Sequence, residues 1–294
     1  MRDGLLHVVG ASIASAAAIY FAARSVQRRS TVDLAALGVP LPDGVELLTP
    51  RQIDEEAIDV LAQSWSGSDQ TSPELGFDWM LGPALRGKYK DETRLRILAW
   101  IMRFFVGLGA GSGGVMLGMR DANTGALVGA VYVNPYLSGL PGSLGELQQL
   151  IGALCRVAPR HGLTGFTAKG FGQRFQASYP TVDEGHKKAV ANQRPHLHVG
   201  PVGVLPAYQG HGRTSTMMRH VNKWADKLGV ACYLECSGNN KPIYERFGYR
   251  DVGGPDREIG PNTIGVFDGA GCNIDPDGQP PFDDFWNMVR PEPS

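Results

Sequence analysis

The sequence lacks the composition that marks several common classes of protein. Basic and acidic residues nearly cancel, 28 against 29, and the formal net charge is −1. There is therefore no basic excess to attract nucleic acid, and no such partner is predicted. Four cysteines among 294 residues are too few and too scattered for a secreted disulfide framework, so we expect reduced thiols. The hydrophobic fraction of 43% is that of a globular chain with ample residues for a core.

Familiar site signatures are missing as well. No Gly-x-Ser-x-Gly segment of a serine hydrolase occurs. The glycine-rich stretch 209–214 ends without Gly-Lys-Ser/Thr and has no third glycine at the dinucleotide spacing, which excludes both nucleotide fingerprints. Cys232 and Cys236 lie too far apart along one predicted strand for a compact chelate. Adding His196 and His198 as ligands has no support in their spacing, and no metal site is predicted.

The N-terminal region carries a long apolar run. Residues 5–23 contain no Asp, Glu, Lys or Arg, and Arg24, Arg28 and Arg29 follow them. The run is long enough to cross a bilayer as a helix, and these arginines would keep the rest of the chain on the cytosolic side. A secretory signal cleaved near residue 23, an organelle transit segment and a buried helix remain open as alternatives.

The chain divides by composition into four parts. We expect an apolar N-terminal segment over residues 1–29, a linker over 30–44, the main domain over 45–270 and a Pro/Asp-rich tail over 271–294. From Asp275 onward the tail is expected to form an irregular edge. The oligomeric state is not predicted.

Hydrophobic periodicity and turn residues predict an alternation of strands and helices. Thr49, Pro50 and Gln52 match a helix start with a capping box. Helices are expected after Thr49 as far as Trp65, over residues 92–108, 144–157, 213–228 and 241–247, and as a helix that ends within 185–192. Strands are expected over residues 45–48, 114–120, 126–133, 199–205, 231–236 and 249–252.

Residues 199–228 predict an anion site. A strand leads through the glycine-rich turn into a helix, and the first turn of a helix leaves backbone N–H groups unpaired beside the positive end of its dipole. Gly210 and Gly212 have no side chains to keep a phosphate away, and Arg213 could add a charged contact. A glycine turn that is only structural is the alternative.

This segment resembles the acyl-CoA-binding core of the GNAT superfamily of N-acetyltransferases. The family signature Gln/Arg-x-x-Gly-x-Gly/Ala is matched by Gln209, Gly212 and Thr214, preceded by Val204-Leu205-Pro206. Residues 234–249 are similar to the second family motif, an Asn followed by a Tyr-Glu-Arg-x-Gly-Tyr box. The pattern is typical of the branch that contains puromycin N-acetyltransferase. Thr214 departs from it, since the family has Gly or Ala there.

The resemblance implies a fold and a cofactor-binding set. The fold would be mixed α/β, with a mostly antiparallel central sheet splayed between its fourth and fifth strands and helices on both faces. Backbone groups of the fourth strand would hold the pantetheine arm of acetyl-CoA, the glycine turn would hold the pyrophosphate, and Asn240 would contact the cofactor. The implied cofactor-binding residues are Val202, Gly203, Val204, Gln209, Gly210, His211, Gly212, Arg213, Thr214, Asn240 and Tyr244.

The resemblance also implies that Tyr244 donates to the departing thiolate, as a general acid or by hydrogen bonding to sulfur. The general base is left open between Glu235 and His198, with His196 nearby; each could equally be a structural residue. Together these features predict transfer of an acetyl group to a primary amine of a small molecule in a ternary complex. The alternative is a non-catalytic GNAT-like domain that senses acyl-CoA.

Overall fold

The computed structural model describes residues 33–110, 112–138, 143–162, 170–190, 194–251 and 261–293. Its strands are β1 Val45–Leu47, β2 Val115–Arg120, β3 Leu127–Tyr136, β4 His196–Val204, β5 Ala231–Ser237, β6 Arg250–Asp251, β7 Asn262–Ile264 and β8 Phe282–Arg290. Helix α1 is one run built from Pro50–Gln52, a π-helical turn Ile53–Ala57 and Ile58–Ser66. The other helices are α2 Leu75–Leu81, α3 Glu92–Gly109, α4 Ser143–His161, α5 Phe171–Ala189, α6 Arg213–Leu228 and α7 Lys241–Glu245.

The described strands form one eight-stranded sheet. Its order is β1-β2-β3-β4-β5-β8-β6, and β7 also pairs with β8. The β4–β5 pair is parallel, and the other paired neighbours are antiparallel. The predicted mixed, mostly antiparallel sheet is therefore confirmed.

Helices cover both faces of this sheet. Along β2 and β3, side chains alternate between the faces, so that Met116 and Tyr132 join a core beneath α1 to α5 while Leu117 and Val133 join a core beneath α6. Each core is a continuous cluster of buried apolar residues. The three-layer arrangement is the one expected from the resemblance.

Helix α1 begins as its sequence predicts. The Thr49 hydroxyl accepts a hydrogen bond from the Gln52 amide at 3.3 Å, and the Gln52 side chain accepts one from the Thr49 amide at 2.9 Å. This reciprocal capping box satisfies two amides that the helix itself leaves unpaired. It sets the position from which α1 runs across the sheet to Ser66.

Helix α6 also follows its pattern. Its buried side lies on the core beneath it and is formed by Met217, Met218, Val221, Trp224 and Ala225. Gly229 ends the helix in the left-handed conformation, with φ of 64°, which glycine adopts without a steric penalty.

The interpretation of the C-terminal region as an irregular tail is wrong. Strand β8 lies inside the sheet and pairs with β5 from Cys232↔Arg290 to Ser237↔Phe285. Its sequence, FDDFWNMVR, follows a stretch rich in Pro and Asp and has no clean alternation. Pairing with β5, distant in the chain, decides its conformation.

The interpretation of residues 30–44 as a linker also needs correction. Residues Leu34–Leu37 form a 3-10 turn capped by Asp33, and Leu34 is fully buried in the core beneath α6. This part of the chain therefore belongs to the domain. Within the described ranges no helix has the length and apolar character to span a membrane. Residues 5–23 lie outside those ranges, so their membrane association stays a prediction.

A buried ion pair joins α5 to the C-terminal region. Arg174 donates to the Asp275 carboxylate at 2.6 and 2.9 Å and to Asp277 at 2.7 Å. Burial alone would raise the pKa of Asp275, but the hydrogen bonds from Arg174 and from the Asp277 and Gln279 amides outweigh it and lower that pKa to about 2. The pair fixes α5 against the segment that leads into β8.

We predict that Asp275→Asn lowers the free energy of unfolding at neutral pH by on the order of 3 kcal/mol, because it leaves the Arg174 charge buried with less compensation. The folded-state pKa of Asp275 lies below its ordinary value of 3.8. The stability that its ionised form supplies is therefore present above pH 3.8 and is lost as the pH falls towards 2. Urea unfolding of both proteins across this range measures the difference.

Asp277→Asn is the matched control, because this more exposed carboxylate contacts the same arginine. It should cost less than Asp275→Asn at neutral pH. A difference between wild type and Asp275→Asn that stayed constant from neutral pH down to pH 3.8 and below would contradict the ionic origin of the effect.

Candidate functional site: the open edge of the fourth strand

The β4 and β5 strands pair over only a short stretch. The parallel register runs from His196↔Ala231 to His198↔Tyr233 and then stops. Beyond it, β4 stays with β3 as far as Val204, while β5 stays with β8 as far as Ser237. The predicted splay between the fourth and fifth strands is therefore confirmed, and residues 199–204 present an edge that β5 does not pair.

Val202 and Val204 turn their backbone groups towards this edge. The Leu205 amide donates to the Val128 carbonyl of the β3 side at 2.8 Å. Since backbone groups alternate in direction along a strand, Gly203 also faces β3, whereas Val202 and Val204 face the splay. The prediction that Gly203 binds the pantetheine arm through its backbone groups needs correction, because those groups lie on the β3 side.

Three splay-facing backbone groups of β4 already have protein partners. The Trp65 indole Nε1–H donates to the Val202 carbonyl at 2.8 Å. The Val204 amide donates to the Ser64 hydroxyl at 3.0 Å, and the Gln209 side-chain amide donates to the Val204 carbonyl at 2.9 Å. The edge that the resemblance assigns to acyl-CoA is thus occupied by the end of α1 and by a residue of the glycine turn.

Gly203 lets α1 approach this closely. A Cβ atom at Gly203 would lie 2.9 Å from the Cβ of Ser64, which real side chains do not tolerate. Sequence reasoning missed Ser64 altogether and placed Trp65 only on a helix face. Their contacts with β4 join residues 137 and 140 positions apart, and no local pattern carries such information.

The glycine turn has the open geometry of an anion site. After the 3-10 turn Pro206–Tyr208, Gly210 and Gly212 have φ of 80° and 74°. Within the described part of the chain, and apart from each glycine's own neighbours in sequence, no atom lies within 4 Å of where a Cβ would stand at either glycine. Gly212 is the N-cap of α6 and has no side chain to bond the first-turn amides. These amides and the helix dipole favour a phosphate group here.

Arg213 stabilises this turn through contacts with other parts of the chain. Its guanidinium donates to Asp121 at 3.1 Å and to the Tyr208 carbonyl at 3.2 Å, and it lies 5.1 Å from the centre of the Tyr208 ring. Asp121 also accepts hydrogen bonds from the backbone of the β2–β3 loop. The structure therefore gives Arg213 a role in fixing the turn; contact with phosphate stays a prediction. His211 is exposed and Thr214 is half-buried on the first turn of α6.

The two candidate bases lie together where the strands part. His198 Nε2 is 2.8 Å from Glu235 Oε2, and their side chains are 23% and 17% exposed. Since a carboxylate accepts, His198 donates from Nε2 in this pair. The sequence placed both on neighbouring strands but did not predict that they form one unit.

A second histidine pair lies behind them. His186 of α5 and His196 approach through their Nε2 atoms at 2.8 Å, and His196 Nδ1 lies 2.8 Å from the Arg194 carbonyl. The His186 ring also stacks on Tyr233 with centroids 4.0 Å apart. Burial lowers the pKa of His196 to about 4 and that of His186 well below its ordinary value. Both rings are therefore neutral near pH 7. Sequence reasoning missed His186, since neither motif includes α5.

The second motif begins in β5 and continues through α7. Asn240 is the N-cap of α7, but its side chain makes no capping bond. Tyr244 is half-buried, and its ring meets that of Tyr249 edge-on at 6.1 Å. Burial raises the pKa of the Tyr244 phenol well above its ordinary value, and Cys236 and Glu74 raise it further. Tyr244 is therefore protonated near neutral pH and able to donate.

Glu74 is a further carboxylate that the sequence did not single out. It caps α2 by accepting from the Phe77 amide at 2.8 Å, and it contacts the Ser237 hydroxyl at the end of β5. Burial raises its pKa above the ordinary value. Its position joins α2 to the strand that carries Glu235.

Comparison with known proteins agrees with this geometry. Residues 177–249 match the family model for the acetyltransferase (GNAT) family. The match covers both motifs, the β4 edge and the His198–Glu235 pair. The predicted resemblance to the GNAT superfamily of acetyltransferases is confirmed over these residues. No curated protein sequence gives a significant match.

Solved structures of acetyltransferases give weak likenesses. A histone acetyltransferase HPA2 and related acetyltransferase from Corynebacterium glutamicum shares 16% identity over 85% of this chain and 96% of its own, with a TM-score of 0.45. A GNAT acetyltransferase from Brucella melitensis, in complex with acetyl-CoA, shares 14% identity over 70% of this chain and 81% of its own, with a TM-score of 0.34. Likenesses at this level identify neither an acceptor nor a mechanism for this chain.

We predict that Trp65→Phe strengthens binding of CoA. The substitution removes the indole donor from the Val202 carbonyl and keeps an aromatic ring against Phe77, 4.9 Å away by centroid. A ligand that pairs with β4 would then displace one hydrogen bond fewer, worth about 1 kcal/mol or roughly fivefold in affinity. Isothermal titration calorimetry with CoA measures the change in affinity.

Trp79→Phe is the matched control. Its indole also donates to a carbonyl, that of Pro280, at 2.8 Å. This control should lose stability without gaining affinity. Unchanged or weaker CoA binding by Trp65→Phe would show that the Trp65 contact does not compete with the ligand.

Proposed function

We propose that this chain transfers the acetyl group of acetyl-CoA to a primary amine of a small molecule, by direct transfer within a ternary complex. One observation carries the proposal. The edge of β4 that β5 leaves unpaired leads directly into a glycine turn whose open amides begin α6. The GNAT family match over residues 177–249 supports the same ligand.

The open first turn of α6 is the place for the pyrophosphate. Gly210 and Gly212 leave room for its oxygens, and Arg213 with Asp121 keeps the turn in this shape. Backbone amides at a helix N-terminus bind phosphate without the desolvation cost of a buried lysine.

The pantetheine arm would then lie along β4 towards the point where the strands part. Residues 199–204 span roughly 17–20 Å at about 3.3 Å per residue. An extended arm paired with Val202 and Val204 brings the thioester towards His198 and Glu235. Trp65 and Ser64 must withdraw from these backbone groups for the arm to pair.

Proton transfer in this arrangement balances within the site. The acceptor ammonium loses its proton to the His198–Glu235 pair, and the free amine attacks the thioester carbonyl. The bond from carbonyl carbon to sulfur breaks, and the leaving thiolate takes a hydrogen bond or a proton from Tyr244. The nitrogen loses its second proton as the amide forms, and this proton goes to the thiolate, either directly or by replacing the one that Tyr244 gives up. Holding both substrates in one cleft supplies much of the rate enhancement.

A second function rests on the same edge. The β-branched Thr214 in the first turn of α6, where the family has Gly or Ala, favours a domain that binds acyl-CoA without turning it over. Such a sensor would bind CoA and release no thiol. Free-thiol detection with acetyl-CoA and a panel of amines, coupled to intact-mass analysis of the products, separates the two functions. Thiol release that depends on an amine, with a matching acetylated product, supports the transferase.

We predict that Gly212→Glu weakens CoA binding, because a carboxylate at the start of α6 repels the pyrophosphate. Any side chain at Gly212 is strained by its φ of 74°, so Gly212→Gln carries the same strain without the charge. The glutamate variant should bind at least about tenfold more weakly than the glutamine variant, as measured by calorimetry. Equal affinities of the two variants for CoA would show that the pyrophosphate does not bind at this turn.

We predict that Tyr244→Phe lowers kcat roughly 10²–10⁴-fold while the affinity for acetyl-CoA and the melting temperature change little. The substitution keeps the ring packing and removes only the donor. Tyr249→Phe is the control, because its hydroxyl contacts Asn222 at 3.4 Å and has no role in the transfer. A normal kcat in Tyr244→Phe would make Tyr244 a packing residue.

A further inference from the structure

The face of the sheet beneath α5 carries a cluster of metal-ligating side chains. His186, His198 and Glu235 each offer a ligand atom, and within the described ranges these atoms all lie within 4.8 Å of one another. They come from a helix and two adjacent strands. The cluster therefore rests on well-packed elements rather than on a loop.

Hydrogen bonding fixes which nitrogen of His186 is free to bind. The Arg194 carbonyl can only accept, so His196 donates to it from Nδ1 and carries its lone pair on Nε2. His186 must then donate from its own Nε2 to His196. The lone pair of neutral His186 consequently lies on Nδ1.

This arrangement is the one that orients histidine ligands in metal sites. A ligating histidine holds the metal with one nitrogen and donates its other N–H to a fixed acceptor. For His186 the acceptor is His196, which is itself held by the Arg194 carbonyl. The ring is further fixed by its stacking on Tyr233.

The charge of the cluster also suits a cation. Among the described residues, no lysine or arginine lies within ion-pair distance of Glu235, whose partner is His198. A half-buried carboxylate with no lysine or arginine beside it among the described residues gains from a compact positive ion.

We propose that His186 Nδ1, His198 Nε2 and the Glu235 carboxylate bind one divalent transition-metal ion of the zinc type, with a fourth position open to water. Two histidines and a carboxylate are a known ligand set for such ions. The ion takes the place of the hydrogen on His198 Nε2, and His198 then carries its hydrogen on Nδ1.

Small movements build the coordination sphere. Ligand atoms about 2.1 Å from a tetrahedral ion lie roughly 3.4 Å from one another. The His198–Glu235 pair must therefore open slightly from 2.8 Å, and His186 must move inwards, since the ligand atoms of the cluster lie up to 4.8 Å apart. The binding does not rest on acetyl transfer. A bound ion occupies the His198–Glu235 pair and competes with its role as proton acceptor, so the two proposals can fail separately.

The test uses the full chain without a histidine tag, stripped with a chelator and titrated with Co²⁺. We expect the visible absorption of four- or five-coordinate cobalt to saturate at one ion per chain. Zn²⁺ should abolish that absorption, since this site type prefers zinc to cobalt. Absence of these bands would overturn the proposal.

Variants locate the site. Glu235→Gln, which keeps the shape of the side chain, and His186→Asn should each weaken Co²⁺ binding by about 100-fold or more. His196→Gln should weaken it by roughly 10–100-fold and keep the absorption bands, as expected for a residue that orients a ligand. Melting temperatures identify any variant that has lost its fold. If His186→Asn has lost its fold, Glu235→Gln still tests the proposal.

His161→Gln is the control for adventitious binding. His161 lies 3.9 Å from Asp54 on a more exposed part of the surface, where a loosely held ion could bind. The His161→Gln substitution should leave the affinity for Co²⁺ unchanged. Loss of binding in this variant, or unchanged binding in Glu235→Gln, would place the ion elsewhere and overturn the proposal.

Discussion

The parallel pairing of β4 with β5 ends after His198 and Tyr233, and the candidate site follows from that ending. From there each strand keeps its other neighbour, β3 or β8, so the gap is enforced from both sides of the sheet. A buried backbone edge must find hydrogen-bond partners. In this protein the end of α1 and Gln209 supply them, with three side chains that reach Val202 and Val204.

The surrounding structure keeps this gap in place. The core beneath α6 fixes the helix whose first turn opens at Gly212. On the other face, Arg174 ties α5 to Asp275, and α5 brings His186 up to the histidines of β4. The C-terminal segment thus helps to build the polar cluster at the point where the strands separate, although it lies far from that cluster in the sequence.

Local patterns predicted local structure well. The capping box of Thr49 and Gln52, the apolar face of α6 and the β2–β3 hairpin all follow from residues close in the chain. The splay was predicted from the resemblance carried by Gln209, Gly212 and the Tyr244 box. Hydrophobic periodicity does not indicate where the pairing of two strands stops.

The features that the sequence did not predict depend on contacts between residues that are distant in the chain. Strand β8 was missed because its residues lack alternation and its partner β5 is distant. Trp65 and Ser64 belong to an ordinary amphipathic helix, and only the fold shows that they meet β4. His198 and Glu235 were both named, but their bond depends on the parallel register that joins residues 196–198 to 231–233.

The central claim is that an acyl-CoA ligand takes the β4 edge now held by Trp65 and Ser64. The indole N–H of Trp65, one of five tryptophans, reports on that edge directly in the NMR spectrum of the isotope-labelled chain. Addition of CoA should shift the Trp65 indole resonance as its bond to the Val202 carbonyl breaks, while the Trp79 resonance stays in place. Saturable CoA binding with an unmoved Trp65 resonance would contradict the account.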